Sequence, residues 1–173
     1  AKRPDGLRET YIANKNETIL TKVFKIHKIK GILDSTEYTS LSGKGILGSG
    51  EVSIDGQTFK NGETEVLNLL GYSVEGYYQE DESEQNVLLY IIPENLKNEV
   101  TTVDYENIIK EDLSVSELKY FDEDMAGSVK KVISEIAAFI YNGEQTTISS
   151  SLLCPKYGEV TLIDNNSDGL IDV

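Results

Sequence analysis

Short runs of alternating polar and apolar residues dominate this chain, and turn signals separate them. Residues 51–54 (EVSI) alternate, Asp55-Gly56 follows, and 57–59 (QTF) return. That is a hairpin pattern, because Asp-Gly accepts the positive φ that a two-residue turn needs. Residues 61–70 hold a short helical turn, with Gly71 as its stop signal. Residues 72–79 (YSVEGYYQ) alternate again, and 87–92 (VLLYII) form the most apolar run, closed by Pro93. Upstream, 19–29 (ILTKVFKIHKI) reads as a strand whose Lys22, Lys25 and Lys28 make a basic, solvated face. Residues 31–41 read as a strand with a bend, and 44–50 as a glycine-rich turn without the Gly-Lys-Ser/Thr ending of a phosphate loop.

The second half is less regular. Short extended pieces are expected at 100–103 and 105–109. A hairpin is expected at 118–121 and 129–133 around a turn at 122–127, with a helical turn at 134–139. Residues 140–143 run from strand to turn, and 158–163 (GEVTLI) lead into the end of the chain. Heptads and βαβ alternation are absent from the pattern. We expect a mainly β fold with one or two short helices. Its parts are an extended lead-in over 1–21, a small OB-like β-barrel over 22–97, and a second, irregular β module over 98–173 that ends in an aspartate-rich loop.

Charge narrows the partners. The net charge is −14, so the surface repels nucleic acid and anionic membranes and favours divalent cations. With 39% hydrophobic residues, ten tyrosines and four phenylalanines, the acidity does not signal disorder. No run approaches the roughly 20 apolar residues of a membrane helix, so no membrane insertion is expected. The chain has one cysteine, Cys154, and one histidine, His27; no signature surrounds either, and a small inert thiol is the expectation. Beginning at Ala1 and ending at Val173 inside a strand, the chain is expected to be a piece of a longer protein.

The candidate chemistry lies in the last ten residues, 164–173 (DNNSDGLIDV). Oxygen-bearing Asp164, Asn166 and Asp168 alternate, Gly169 follows, Leu170 offers a carbonyl, and Asp172 comes four residues after Asp168. A hard cation wants several oxygens from a tightly curled backbone, and this spacing supplies them. The preceding residues read as strand, so an ordinary helix–loop–helix site does not fit; a DxDxDGxxD-type loop between strands does. The expected cofactor is a structural Ca²⁺ on Asp164, Asn166, Asp168, Leu170 and Asp172. The same residues also make a good turn with no ion, since Asx side chains cap their own backbone.

Five phrases line up: 31–41 (GILDSTEYTSL), 50–59 (GEVSIDGQTF), 69–78 (LLGYSVEGYY), 138–143 (AFIYNG) and 158–169 (GEVTLIDNNSDG). Together they resemble β-rich repeat modules of secreted and cell-wall, S-layer-associated proteins of Gram-positive bacteria. Similar segments occur in virion structural proteins of phages that infect such bacteria. The resemblance covers most of residues 30–173 and carries no catalytic signature. It implies a non-catalytic structural or interaction module at the cell surface, or in a phage tail or baseplate. Its partners would be neighbouring domains or subunits. Two other readings stay open: a carbohydrate-binding module using Tyr72, Tyr77 or Tyr78, and a hydrolase with an unrecognised carboxylate pair.

Overall fold

The computed structural model describes residues 18–43, 47–62 and 64–173. Expectations for 1–17, for 44–46 and for Glu63 lie outside these residues. The mainly β class with short helical turns is borne out.

The first correction is at the start. Residues 19–29 do not form one strand: a single helical turn, α1 (Ile19–Lys22), precedes β1 (Ile26–Thr36). Thr18 and Thr21 cap that turn reciprocally, each hydroxyl accepting the other's amide. Lys25, at φ 56°, breaks the chain before β1 begins. Ile19, Leu20, Val23 and Phe24 follow a helical spacing, which the alternating reading overlooked. The three lysines therefore share no strand face, and Lys28 pairs with Glu75 at 2.6 Å.

Strands β2 (Glu51–Ile54) and β3 (Gln57–Asn61) form the expected hairpin. Asp55 and Gly56 take φ of 48° and 76° at its turn. With β4 (Ser73–Glu80) and β5 (Asn86–Pro93), five strands close in a ring of order β1-β2-β3-β5-β4. The long β1 serves two neighbours. Ile26–Ile32 pair with β4, and Leu33, Ser35 and Thr36 pair with β2, with a register shift between Leu33 and Ser35. A shift of this kind lets one strand turn a barrel corner. A parallel contact, Lys60 and Asn61 against Val87 and Leu88, joins β3 to β5. A 3-10 turn at Leu67–Leu69 lies between β3 and β4, and Val66 enters the core there. Leu33, Ile54, Val74 and Leu88 are fully buried inside the ring.

The second cluster gathers around Leu118, Leu153, Leu162 and Ile171. Three small sheets surround it. Strand β6 (Glu99–Asp104) pairs with β11 (Glu159–Asp164). The hairpin β7 (Glu117–Asp122) and β8 (Gly127–Ile133) gains β12 (Leu170–Ile171) in parallel. Strands β9 (Phe139–Tyr141) and β10 (Glu144–Thr146) form a hairpin about Asn142-Gly143. Two expectations fail here. Residues 105–109 are not extended: Asp104 caps a 3-10 turn at Tyr105–Asn107 through the Glu106 amide. Residues 134–139 make one turn, closed by the Ala137 amide on the Ser134 carbonyl, before β9 starts at Phe139.

Candidate functional site

The aspartate loop joins β11 to β12, and its side chains alternate between two tasks. Asp164, the last residue of β11, is 2% exposed. One of its oxygens accepts the Asn166 amide at 3.2 Å and the Ser167 amide at 2.6 Å; the other accepts Gly169 at 2.8 Å. Burial alone would raise its carboxyl, but the amides of Gly169, Asn166, Ser167 and Asp168 outweigh that and hold it below its ordinary value. Asn166 Oδ1 accepts the Asp168 amide and Asp168 Oδ1 accepts the Leu170 amide, each at 2.8 Å. Ser167 and Gly169 supply the positive φ, 62° and 86°, that the curl needs. Asp172 reaches back: its Oδ2 accepts the Asn165 amide at 3.1 Å and Asn166 Nδ2 at 3.3 Å. Burial pushes the Asp172 carboxyl up, and the charges of Asp168 and Asp164 push it the same way.

The two positions the spacing argument skipped hold the loop to the barrel. Asn165 Nδ2 donates to the Gly71 carbonyl at 2.9 Å. Ser167 Oγ donates to the carbonyls of Leu96 and Lys97 at 3.2 and 2.9 Å. Gly71 itself has φ 85°, and a methyl group there would meet the Val173 side chain at 2.9 Å. So the aspartates close the loop on itself while Asn165 and Ser167 fasten it to the first unit. The alternation 164/166/168 against 165/167 was the available signal for this division of labour.

As a cation site the loop offers a mixed donor set. Both Asp164 oxygens already take amides, while Asp168 Oδ2 and Asp172 Oδ1 accept no hydrogen bond among the described residues. Among those residues no three His, Cys, Asp or Glu side chains converge on a point that would hold a metal. The loop's carboxylate oxygens, Asn166 Oδ1 and backbone carbonyls, some of them shared with amides, make a hard donor set that suits Ca²⁺ better than a softer metal.

Other candidates are placed apart. His27 lies against Tyr78, with ring centroids 5.5 Å apart, whereas Cys154 packs on the second core. Tyr72 and Tyr78 pack on the barrel core, Tyr78 edge-on to Phe59 at 5.0 Å. Tyr77 instead lies beside Tyr90 at 6.4 Å, with Lys28 Nζ 5.7 Å from its ring centroid. Asp81 and Asp122 cap their own turns through the amides of Ser83, Gln85 and Met125.

The fold also assembles a carboxylate pair that spacing did not announce. Lys30 bridges Glu75 and Glu94 across the barrel wall. Lys28, with help from the Tyr77 hydroxyl and Lys30, brings the Glu75 carboxyl down to about 2. Lys30, Lys97 and the Ser73 hydroxyl bring Glu94 down to about 2 as well. A glycosidase needs one of its two acids protonated near neutrality, and these two are held ionised.

No helix among the described residues is long and apolar enough to cross a membrane. No protein-family model, no curated protein and no solved structure matches this chain.

Proposed function

We propose that this chain is a non-catalytic structural and interaction module of an extracellular surface assembly, with a structural Ca²⁺ in its terminal loop. One observation carries the reading. The residues richest in chemistry are spent on fastening: Asn165 and Ser167 tie the loop to the barrel, 94 and about 70 residues away in sequence. The S-layer-associated resemblance points the same way, and so does the acidic surface, which favours divalent cations. The OB-like reading of the barrel rests on its strand order and on the turn between β3 and β4. Calcium would be held by Asp164, Asn166, Asp168, the Leu170 carbonyl and Asp172, and would neutralise carboxylates that repel one another.

Two measurements test this. With a Kd of about 10⁻⁴ to 10⁻³ M, typical of extracellular sites, calcium at about 10 mM adds roughly 1.4–2.7 kcal/mol to stability. The melting temperature rises accordingly over chelator, and Asp168→Ala removes the rise while leaving the Asp164 amide cradle intact. An unchanged wild-type melting temperature sinks the calcium reading. The chain also co-sediments with purified Gram-positive cell walls and releases no sugar from them. Glycan turnover that one carboxylate substitution abolishes would overturn the structural-module reading.

A carbohydrate contact is favoured by one surface feature. Tyr77 and Tyr90 sit side by side on the barrel's outer wall beside Lys28 and Glu75, which offer donors and acceptors to sugar hydroxyls. Tyr90→Ala then weakens co-sedimentation without lowering the melting temperature.

A further inference from the structure

Asp-Gly and Asn-Gly pairs are where a polypeptide most readily attacks itself. The glycine nitrogen can reach Cγ of the side chain before it, and no Cβ stands in the way. Among the described residues such pairs stand at 55–56, 61–62, 142–143 and 168–169. In three of them the fold commits the glycine amide elsewhere. Gly56 donates to Asp34 Oδ2 at 2.6 Å, Gly62 to the Leu88 carbonyl at 2.9 Å, and Gly169 to Asp164 Oδ2 at 2.8 Å. The side chains before those glycines are held as well. Asp55 Oδ1 accepts the Ile32 amide, and Asp168 Oδ1 accepts the Leu170 amide. Asn61 accepts the Thr64 amide through Oδ1 and donates to the Thr64 carbonyl through Nδ2.

Asn142-Gly143 is the exception. It forms the two-residue turn of the β9–β10 hairpin, with φ of 50° and 84°, and both residues are exposed. Neither the Asn142 side chain nor the Gly143 amide has a hydrogen-bond partner among the described residues. Space is open too: a methyl group on Gly143 would meet nothing within 4 Å. The ladder behind the turn is short, running only from Tyr141–Glu144 to Phe139–Thr146, and so short a hairpin opens at little cost. One fixed point remains. The Gly143 carbonyl accepts the Thr39 hydroxyl, which ties the hairpin to the barrel across 104 positions of sequence.

We infer that Asn142 is a site of spontaneous deamidation, and that its conversion releases the β9–β10 hairpin from the barrel. The Gly143 nitrogen gives its proton to hydroxide and bonds to Asn142 Cγ. The Cγ–Nδ2 bond breaks, ammonia leaves, and a succinimide ring closes. Water then opens the ring at either carbonyl, giving aspartate or isoaspartate, with no change of oxidation state. In isoaspartate the main chain runs through Cβ and Cγ and is longer by a carbon. A turn of two residues matches the strand twist only at its normal length, so the hairpin end is displaced. The Gly143 carbonyl then leaves the Thr39 hydroxyl. Either product also adds a negative charge beside exposed Glu144, in a chain already at −14. This inference goes beyond the surface-module reading and stands independently of calcium.

The test ages the folded chain in mildly alkaline buffer. Aspartate and isoaspartate are mapped by peptide mass spectrometry, and amide exchange is followed alongside. A free peptide spanning 139–146 sets the clock. Asn142 converts several-fold faster than Asn61. Exchange then quickens across β9 and β10 and stays slow at β2 and β3. Thr39→Val keeps the shape of the side chain but removes the fixed point; it speeds conversion at 142 and quickens hairpin exchange before any ageing. Asn142→Gln, whose ring closes far more slowly, ages without a change in exchange. Asn142 surviving intact after the free peptide has converted overturns the proposal. Equal conversion of Asn61 and Asn142 does so too, because it places the reaction in the unfolded chain. Conversion at 142 that leaves β9–β10 exchange unchanged overturns the release.

Discussion

The two units solve the problem of sheet edges differently. In the first, five strands close on themselves, and the parallel β3–β5 contact leaves no end of the sheet open. In the second, three small sheets of two or three strands lean on one apolar cluster, and none of them closes on itself. Closure makes the barrel's stability a property of its own ladder and core. The second unit depends on loops, above all on the aspartate loop that ties β11, β12 and the barrel together.

The widest separation between the units comes from cavities cut into each core. Leu88→Ala inside the ring should cost about 2–5 kcal/mol and speed exchange at every barrel amide together. Leu118→Ala should cost a similar amount but speed exchange in the second unit first. Simultaneous loosening of both units by either change, followed by amide exchange, would erase the contrast. Next in size is Asp164→Ala. It strands three amides around a buried site and should cost about 1–3 kcal/mol in urea unfolding, with the second unit opening first. Smaller still is Asn165→Ala, which leaves the loop's own cradle whole and removes the bond to Gly71. About 1 kcal/mol is expected, with faster exchange at β12 and unchanged exchange at β2 and β3.

The smallest expected effect is one of pH, and it belongs to the barrel. Glu75 and Glu94 are lowered from an ordinary 4.5 to about 2 by their lysines. The unfolded chain therefore binds protons first on acidification. The stability these carboxylates contribute is complete above pH 4.5 and disappears as pH falls toward about 2. Glu75→Gln should flatten part of that slope in acid unfolding followed at barrel amides. An unchanged slope would mean that the Lys28–Glu75–Lys30–Glu94 chain is not what sustains the wall in acid.

Much of the barrel was legible because its signals are local. Asp55-Gly56 marks its turn, 51–54 and 72–79 alternate, and 87–92 is continuously apolar. Residues 19–24 misled because two adjacent apolar pairs fit a strand as readily as a helical turn, and the capping pair Thr18 and Thr21 decides between them. In the second unit Tyr105–Asn107 looked extended, yet Asp104 caps a turn there. Short polar segments of this sort carry little periodicity, so a single cap sets their course.

The candidate site divides the same way. Its inward residues, Asp164, Asn166 and Asp168, announce themselves by spacing, because an Asx-rich curl is written within six residues and closed by its own amides. Its outward residues do not. Asn165 meets Gly71 from 94 positions away, and Lys30 meets Glu94 from 64. Turn chemistry and strand alternation act between near neighbours, so the amino-acid sequence alone determined the hairpins, the mainly β class and the self-closing loop. Ring closure and the fastening of loop to barrel were decided only by tertiary structure. Each depends on chain segments whose meeting costs loop-closure entropy that no local pattern encodes, and that only the packed whole repays.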